Sequence, residues 1–283
     1  MNTFVFTVLV LSAIAILLAV ILYFVAQKFK VVEDSRIDDV AALLPGANCG
    51  GCGYAGCRAY AEACVKADSL DNLYCPPGGA ATMKQVAECL GKVAPEKEPM
   101  VAVLRCAGAC DKRERVNIYD GASSCAISAA LYAGDTGCSF GCLSSGDCMR
   151  VCSFDAIKMN KATGLPEINE EKCTACNACV KVCPHHIIEL RKTGPKSRRI
   201  FVSCVNKDKG GIAKKACSVA CTGCTKCQKV CTFDAITIEN NLAYIDYIKC
   251  RLCRKCTSEC PTGAIVEVNF PKREALDVKR EAS

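Results

Sequence analysis

A chain of 283 residues with 27 cysteines, no tryptophan and only 6% aromatic residues has too few bulky apolar side chains for one large core, so metal centres must take over part of that role. The formal charge of +7 does not point to nucleic acid, because it counts every cysteine as neutral and metal-bound cysteines are thiolates. A secreted disulfide scaffold is excluded by the odd cysteine count, the chain length and the regular two-residue gaps, which place thiols round a metal rather than pairing them across loops.

The first predicted element is a single transmembrane helix. Residues 4–26 read FVFTVLVLSAIAILLAVILYFVA, carry no charge and are long enough to span a hydrocarbon layer of about 30 Å. A cleaved signal peptide fits less well: no Lys or Arg precedes the stretch, it is too long, and it lacks a small-x-small site. Lys28 and Lys30 follow directly, so the positive-inside rule places the rest of the protein on the cytoplasmic side of the inner membrane, where thiols stay reduced. The anchor is expected over residues 1–27.

Residues 28–95 form a small block that opens with Asn48-Cys49-Gly50-Gly51-Cys52-Gly53-Tyr54-Ala55-Gly56-Cys57 and closes with Cys75-Pro76-Pro77-Gly78-Gly79. The spacing C-x2-C-x4-C-x17-C offers Cys49, Cys52, Cys57 and Cys75 to one [4Fe–4S] cube, with glycines letting backbone amides approach the sulfurs. Gly51, Gly53 and Gly56 also match a dinucleotide fingerprint, but no strand precedes them and cysteines fill the turn. Residues 58–66 and 81–90 read as short helices, on which Cys64 and Cys89 are expected as packed thiols rather than ligands.

Beyond this block the frame C-x2-C-x2-C-x3-C recurs four times, complete over residues 173–183, 221–231 and 250–260 and altered over 142–152. It is the spacing of bacterial-type ferredoxins, in which the fourth cysteine of each run serves the other cube. Zinc sites instead join two distant pairs. Residues 96–192 and 193–270 read as copies: a β-rich run ends in Cys106 or Cys204, Cys138-Ser-Phe-Gly-Cys142 matches Cys217-Ser-Val-Ala-Cys221, and Cys152-Ser-Phe-Asp-Ala-Ile157 matches Cys231-Thr-Phe-Asp-Ala-Ile236. The expected fold class is α+β: a single transmembrane helix, a small [4Fe–4S] domain, two tandem 2[4Fe–4S] ferredoxin-like modules and a charged tail over residues 271–283.

The pairing rule gives Cys221, Cys224, Cys227 and Cys260 to one cube, and Cys250, Cys253, Cys256 and Cys231 to its mate. In the first copy Cys173, Cys176, Cys179 and Cys152 hold one cube. The other has Cys142, Cys148 and Cys183 but Ser145 at the middle position, and Cys138 is the nearest substitute. If Cys138 does not ligate, a three-iron or weakly bound cluster is expected there. Of the remaining cysteines, Cys106, Cys110, Cys125, Cys204 and Cys217 either contribute to a sixth cluster or are structural thiols. Five cubes at about two negative charges each would bring roughly −10 and turn the balance acidic. His185 and His186 read as surface or hydrogen-bonding residues. The basic run over residues 191–199 reads as a solvated connector, or alternatively as a docking patch for an acidic redox partner.

The order of parts, an apolar helix, NCGGCGYAGC…CPPGG and then ferredoxin repeats, resembles the B subunit of the Rnf complex, an ion-translocating ferredoxin:NAD oxidoreductase, over nearly the whole chain. The resemblance implies a protein that takes electrons from soluble ferredoxin or flavodoxin and passes them to membrane and peripheral subunits of the complex. It supports ligand roles for Cys49, Cys52, Cys57, Cys75 and the repeat cysteines. No flavin or NAD site and no nucleic-acid contact is expected on this chain, so hydride transfer and ion pumping fall to partner subunits. The alternatives are an iron–sulfur subunit of another membrane reductase, such as one that reduces a redox sensor, or a structural or sensory iron–sulfur protein.

Overall fold

The computed structural model describes residues 2–28, 34–131 and 134–271, so Lys30 and all but the first residue of the expected tail lie outside the described residues. Helix α1 (Asn2–Lys28) contains the apolar span Phe4–Val25, whose 22 residues are not buried against the rest of the chain. At 1.5 Å per residue the span is about 33 Å long. Among the described residues it is the one helix long and apolar enough to cross a membrane.

Three helices build the next block: α2 (Arg36–Leu43), α3 (Cys57–Lys66) and α4 (Gly79–Leu90). Their apolar residues recur at helical spacing, Ile37 and Val40 on α2, Tyr60, Ala61 and Cys64 on α3, and Met83, Val86 and Ala87 on α4, and they bury one another with Leu70 and Leu73. Gly91, left-handed at φ 64°, ends α4, and the Lys92 amide returns to the Ala87 carbonyl at 2.9 Å. Lys92 also donates its ammonium to the carbonyl of Cys64 at 2.6 Å, covering the end of α3. Cys64 is fully buried here, whereas Cys89 is exposed and so is not the packed thiol its helix suggested.

The remainder repeats one strand plan twice. In the first copy β1 (Met100–Leu104) is followed by α5 (Cys125–Leu131), α6 (Asp147–Arg150), β2 (Ile157–Met159), β3 (Pro166–Ile168), α7 (Ala178–Val182) and β4 (Ile188–Lys192). The first and last strands pair antiparallel, Ala102 opposite Leu190, while β2 and β3 form an inner hairpin. The second copy runs β5 (Arg199–Val202), α8 (Gly210–Ala216), α9 (Lys226–Lys229), β6 (Ile236–Glu239), β7 (Leu242–Ile245), α10 (Lys255–Ser258) and β8 (Ile265–Val268), with β5 paired to β8 and β6 to β7. The sheets have only two strands each, and the cysteine loops fill the space between them; the core of the second copy includes Cys204, Cys217, Cys221, Cys227 and Cys256 beside Val202, Ile236 and Ile245.

The copies are joined closely. Val101, Val103 and Phe201 share an apolar cluster, the Ala107 amide donates to the Ser203 carbonyl at 3.0 Å, and the Ser218 amide to the Lys112 carbonyl at 2.9 Å. The basic run is not simply a solvated connector: Arg191 and Arg199 are buried, paired with Glu189 and Glu170, and Arg191 stacks over Phe201, Tyr244 and Tyr247.

Candidate metal centres

Local backbone geometry shapes the cysteine loops. Residues of positive φ stand before and after each middle cysteine: Ala175 (54°) and Asn177 (69°), Gly223 (65°) and Thr225 (63°), Leu252 (57°) and Arg254 (67°). Such a conformation costs an ordinary L-residue about 1–2 kcal/mol, so its recurrence needs a structural return. The return is a concave row of amides suited to an anionic centre. The altered loop follows the same path, with Ser144 (61°) and Gly146 (79°) flanking Ser145, and the Ser144 amide donates to Cys142 Sγ at 3.4 Å. A further left-handed residue lies three positions beyond each fourth cysteine, at Asp155, His186, Asp234 and Gly263.

The thiols gather in six quartets. Cys49, Cys52, Cys57 and Cys75 line one cavity. Cys152, Cys173 and Cys176 act electrostatically on Cys179, while Cys231 and Cys253 act on Cys250, and Cys250 and Cys253 on Cys256. Cys221, Cys224, Cys227 and Cys260 line a further cavity. The altered loop brings Cys142, Cys148 and Cys183 to a cavity whose fourth thiol is Cys125, not Cys138. Cys138 instead faces Cys106, Cys204 and Cys217. These groupings leave out Cys64, Cys89 and Cys110; of the five cysteines considered for a sixth cluster, Cys110 is exposed, Cys125 joins the altered loop, and Cys106, Cys204 and Cys217 share one cavity. All 27 cysteines lie in the described residues as free thiols.

The Cys125 position is fixed by Asp147, one residue before Cys148. Its carboxylate accepts from Ser124 Oγ at 3.1 Å and the Ala126 amide at 3.2 Å, and so holds the start of α5 against the altered loop. Burial works to raise the Asp147 carboxyl, but hydrogen bonds from the Cys125 and Ala126 amides and from Ser124, with the charge of Arg150, hold it below the ordinary carboxylate range. Cys138 is directed elsewhere by a turn in which the Gly141 amide returns to the Cys138 carbonyl at 3.3 Å, and Asn206 Nδ2 approaches its sulfur at 3.5 Å. His185, half-buried, has Nδ1 2.7 Å from the Gly141 carbonyl, and His186 is exposed.

The Cys106 quartet has a plan that the repeat explains. Each copy contributes a cysteine just after its first strand, Cys106 or Cys204, and one four residues before its first cysteine loop, Cys138 or Cys217. Duplicated positions thus face each other across the junction of the two copies.

The quartets have the surroundings an anionic iron–sulfur group requires. Burial, with neighbouring sulfurs adding to it, pushes the thiols of Cys142, Cys148, Cys179 and Cys256 up to about 12 and those of Cys204 and Cys227 to about 11. Thiolates in such places need a cation among them. Among the described residues no three Cys, His, Asp or Glu side chains converge so as to hold a single metal ion. Four of the quartets line a cavity, as ligands of a cube would, whereas zinc bonded at about 2.3 Å draws its sulfurs to a point. Arg113 supplies a second sign. It is 7% exposed, has no carboxylate partner among the described residues, and leaves its buried Nε without a hydrogen bond. A buried cation of this kind calls for a nearby negative charge.

The quartets also neighbour one another in series. Gly51 lies so close to Cys176 that a Cβ there would stand 2.8 Å from its carbonyl oxygen. Cys148 feels the charge of Cys179, Cys142 that of Cys106, Cys204 that of Cys221, and Cys256 that of Cys227. The quartets beginning at Cys49, Cys152, Cys125, Cys106, Cys221 and Cys231 follow one another in that order.

Comparison with known proteins agrees with this arrangement. The chain matches a family described as a putative Fe–S cluster over residues 44–77, and families described as 4Fe–4S dicluster domains over residues 137–187, 172–235 and 220–265. It is 41% identical over 280 residues to the B subunit of the Na(+)-translocating ferredoxin:NAD(+) oxidoreductase complex of Acetobacterium woodii, covering 99% of this chain and 83% of that one. It is 42% identical to the B subunit of the proton-translocating ferredoxin:NAD(+) oxidoreductase complex of Clostridium ljungdahlii, over 94% of this chain and 93% of that one. To the B subunit of the ion-translocating oxidoreductase complex of Methanosarcina acetivorans it is 37% identical, over 92% and 96%. With 4Fe–4S domains, cysteine quartets and end-to-end relatives in accord, the chain belongs to the family of B subunits of the ion-translocating ferredoxin:NAD oxidoreductase (Rnf) complex and is an iron–sulfur electron-transfer component of such an oxidoreductase.

Proposed function

We propose that this chain is a membrane-anchored relay of six [4Fe–4S] clusters, held by the six quartets, that carries electrons from reduced ferredoxin or flavodoxin to the other subunits of the complex. The observation that carries the reading is the succession of neighbouring quartets from Cys49 to Cys231, each within electrostatic reach of the next or packed against it. When bound, each group supplies a one-electron couple whose potential depends on charge, hydrogen bonds to sulfur and exposure. The chain's own part is to fix the thiolates, aim amides such as that of Ser144 at them, and shield them with strands and loops.

In this reading α1 lies in the inner membrane as a single pass, with the rest of the chain on the cytoplasmic side, and the first block and the two repeated modules end to end form the wire. The Cys49 quartet then lies at the anchored end. At the other end Cys253 is exposed among exposed Lys249, Arg251 and Lys255, beside Ile248, a basic face with an apolar centre suited to an acidic soluble carrier.

Anaerobic stopped-flow reduction by ferredoxin tests the relay on the full chain in detergent. A variant with Cys106→Ser and Cys204→Ser should take up electrons rapidly on one side of the break only, while dithionite still reduces both sides. Equal rapid filling of both sides in that variant would refute a single series.

A further inference from the structure

We propose that Arg113 is a positioning residue for electrons: a buried fixed cation shared by the Cys125 and Cys106 quartets, which raises the reduction potentials of both and makes them the most readily reduced pair in the middle of the relay. The inference rests on reading those quartets as cluster sites.

The geometry places Arg113 at their junction. It lines the cavity of the Cys106 quartet, and from there Nη1 donates to the Cys142 carbonyl at 2.6 Å and Nη2 to Ser144 Oγ at 3.2 Å, both on the loop of the Cys125 quartet. Two glycines lie against it. A Cβ at Gly108 would stand 3.4 Å from Arg113 Cδ, and one at Gly141 would stand 3.0 Å from Nη1.

The other buried arginines differ. Arg191 is paired with Glu189, which Arg105 shares, and Arg199 with Glu170, so a carboxylate stands against each of these charges, although that of Arg191 still acts on Cys250. Arg113 has no such partner among the described residues. It also breaks the symmetry of the duplicated junction, because the position seven residues beyond Cys204 is Gly211 where that beyond Cys106 is Arg113.

Reduction adds one negative charge to a site, and an uncancelled cation held close in a low-dielectric interior favours that more negative state. Arginine keeps its charge at any accessible pH, so the bias is permanent. Two neighbouring sites biased together would form an electron store between the modules, filled before the outer sites and emptied toward either.

The test is a redox titration of the full chain in detergent, followed by electron paramagnetic resonance, for the parent protein, Arg113→Gln and Arg113→Lys. Arg113→Gln should lower two midpoints and leave the others in place, each by at least tenfold in the reduction equilibrium, about 59 mV for one electron. Arg113→Lys should restore most of the shift. If Arg113→Gln instead loses the iron of two clusters while Arg113→Lys retains it, charge compensation is upheld by loading rather than by potential. Unchanged midpoints in Arg113→Gln with full iron, a uniform shift of all midpoints, or equal damage by Lys and Gln would overturn the proposal. Iron counts on Cys125→Ala and Cys106→Ala separate the two readings. If those variants lose no iron, the ligand assignment itself is wrong; if they lose iron while the Arg113 midpoints stay fixed, only the role of Arg113 fails.

Discussion

Replacing Cys125 with alanine should convert one complete cluster into a three-iron centre. The altered loop supplies Cys142, Cys148 and Cys183, and the thiol that completes their cavity comes from the start of α5. With that thiol gone, one iron of about 24 should be lost, with a three-iron resonance in the oxidised protein. Loss of the whole cluster would strip Arg113 of one of its two compensating anions and lower stability by up to roughly 3–5 kcal/mol, the scale of a broken buried pair. A second substitution makes the experiment sharper. Ser145 sits between left-handed Ser144 and Gly146 on the path the complete loops take, so Cys125→Ala combined with Ser145→Cys should recover the fourth ligand and abolish the three-iron signal. Cys138→Ala should leave this site alone and damage the one shared by Cys106, Cys204 and Cys217. The assay is iron per chain with electron paramagnetic resonance on anaerobic protein. A silent Cys125→Ala, together with a three-iron signal from Cys138→Ala that Ser145→Cys removes, would refute the assignment.

Three further outcomes are expected. Asp147→Asn, which weakens a charge-assisted hold on the start of α5, should cost about 1.5–3 kcal/mol in denaturant unfolding and raise the share of three-iron centres; an unchanged midpoint and spectrum would mean that Cys125 is held otherwise. Gly51→Ala places a Cβ 2.8 Å from the Cys176 carbonyl and should force the first block from its neighbour at about 1–3 kcal/mol, weakening the magnetic coupling between their reduced clusters at constant iron; coupling at parent strength would count against the contact. Joint replacement of Cys64, Cys89 and Cys110 by alanine should leave the iron count untouched, with a stability loss of about 1 kcal/mol from the buried Cys64 alone, and any loss of iron would show that one of them ligates.

The cysteine loops were legible in the sequence because their information is local: two-residue gaps and one tight turn decide where three sulfurs point. The apolar helix was legible for the same reason, as its composition alone separates it from the rest. Cys125 was not, since it comes from a segment with no cysteine frame and reaches its quartet through Asp147, a contact spanning 21 residues between Ala126 and the carboxylate. Nearness in sequence favoured Cys138, yet the turn at Gly141 carries it to the far side of the loop. A usable signal was present. Cys106 matches Cys204, and Cys138 matches Cys217, in the duplicated plan; two equivalent pairs left over by a twofold repeat are what a shared junction site would use. The basic run misled for another reason, because charge density in sequence does not reveal that Glu189 and Glu170 would bury and pair two of its arginines.

Iron and acid-labile sulfide per chain, measured on anaerobically purified full-length protein beside the Cys106→Ser and Cys204→Ser double variant, test the central claim most directly. Six clusters in one series predict about 24 irons and as many sulfides in the parent and about 20 in the variant. A parent value near 20 that the variant leaves unchanged, or zinc in place of iron, would contradict it.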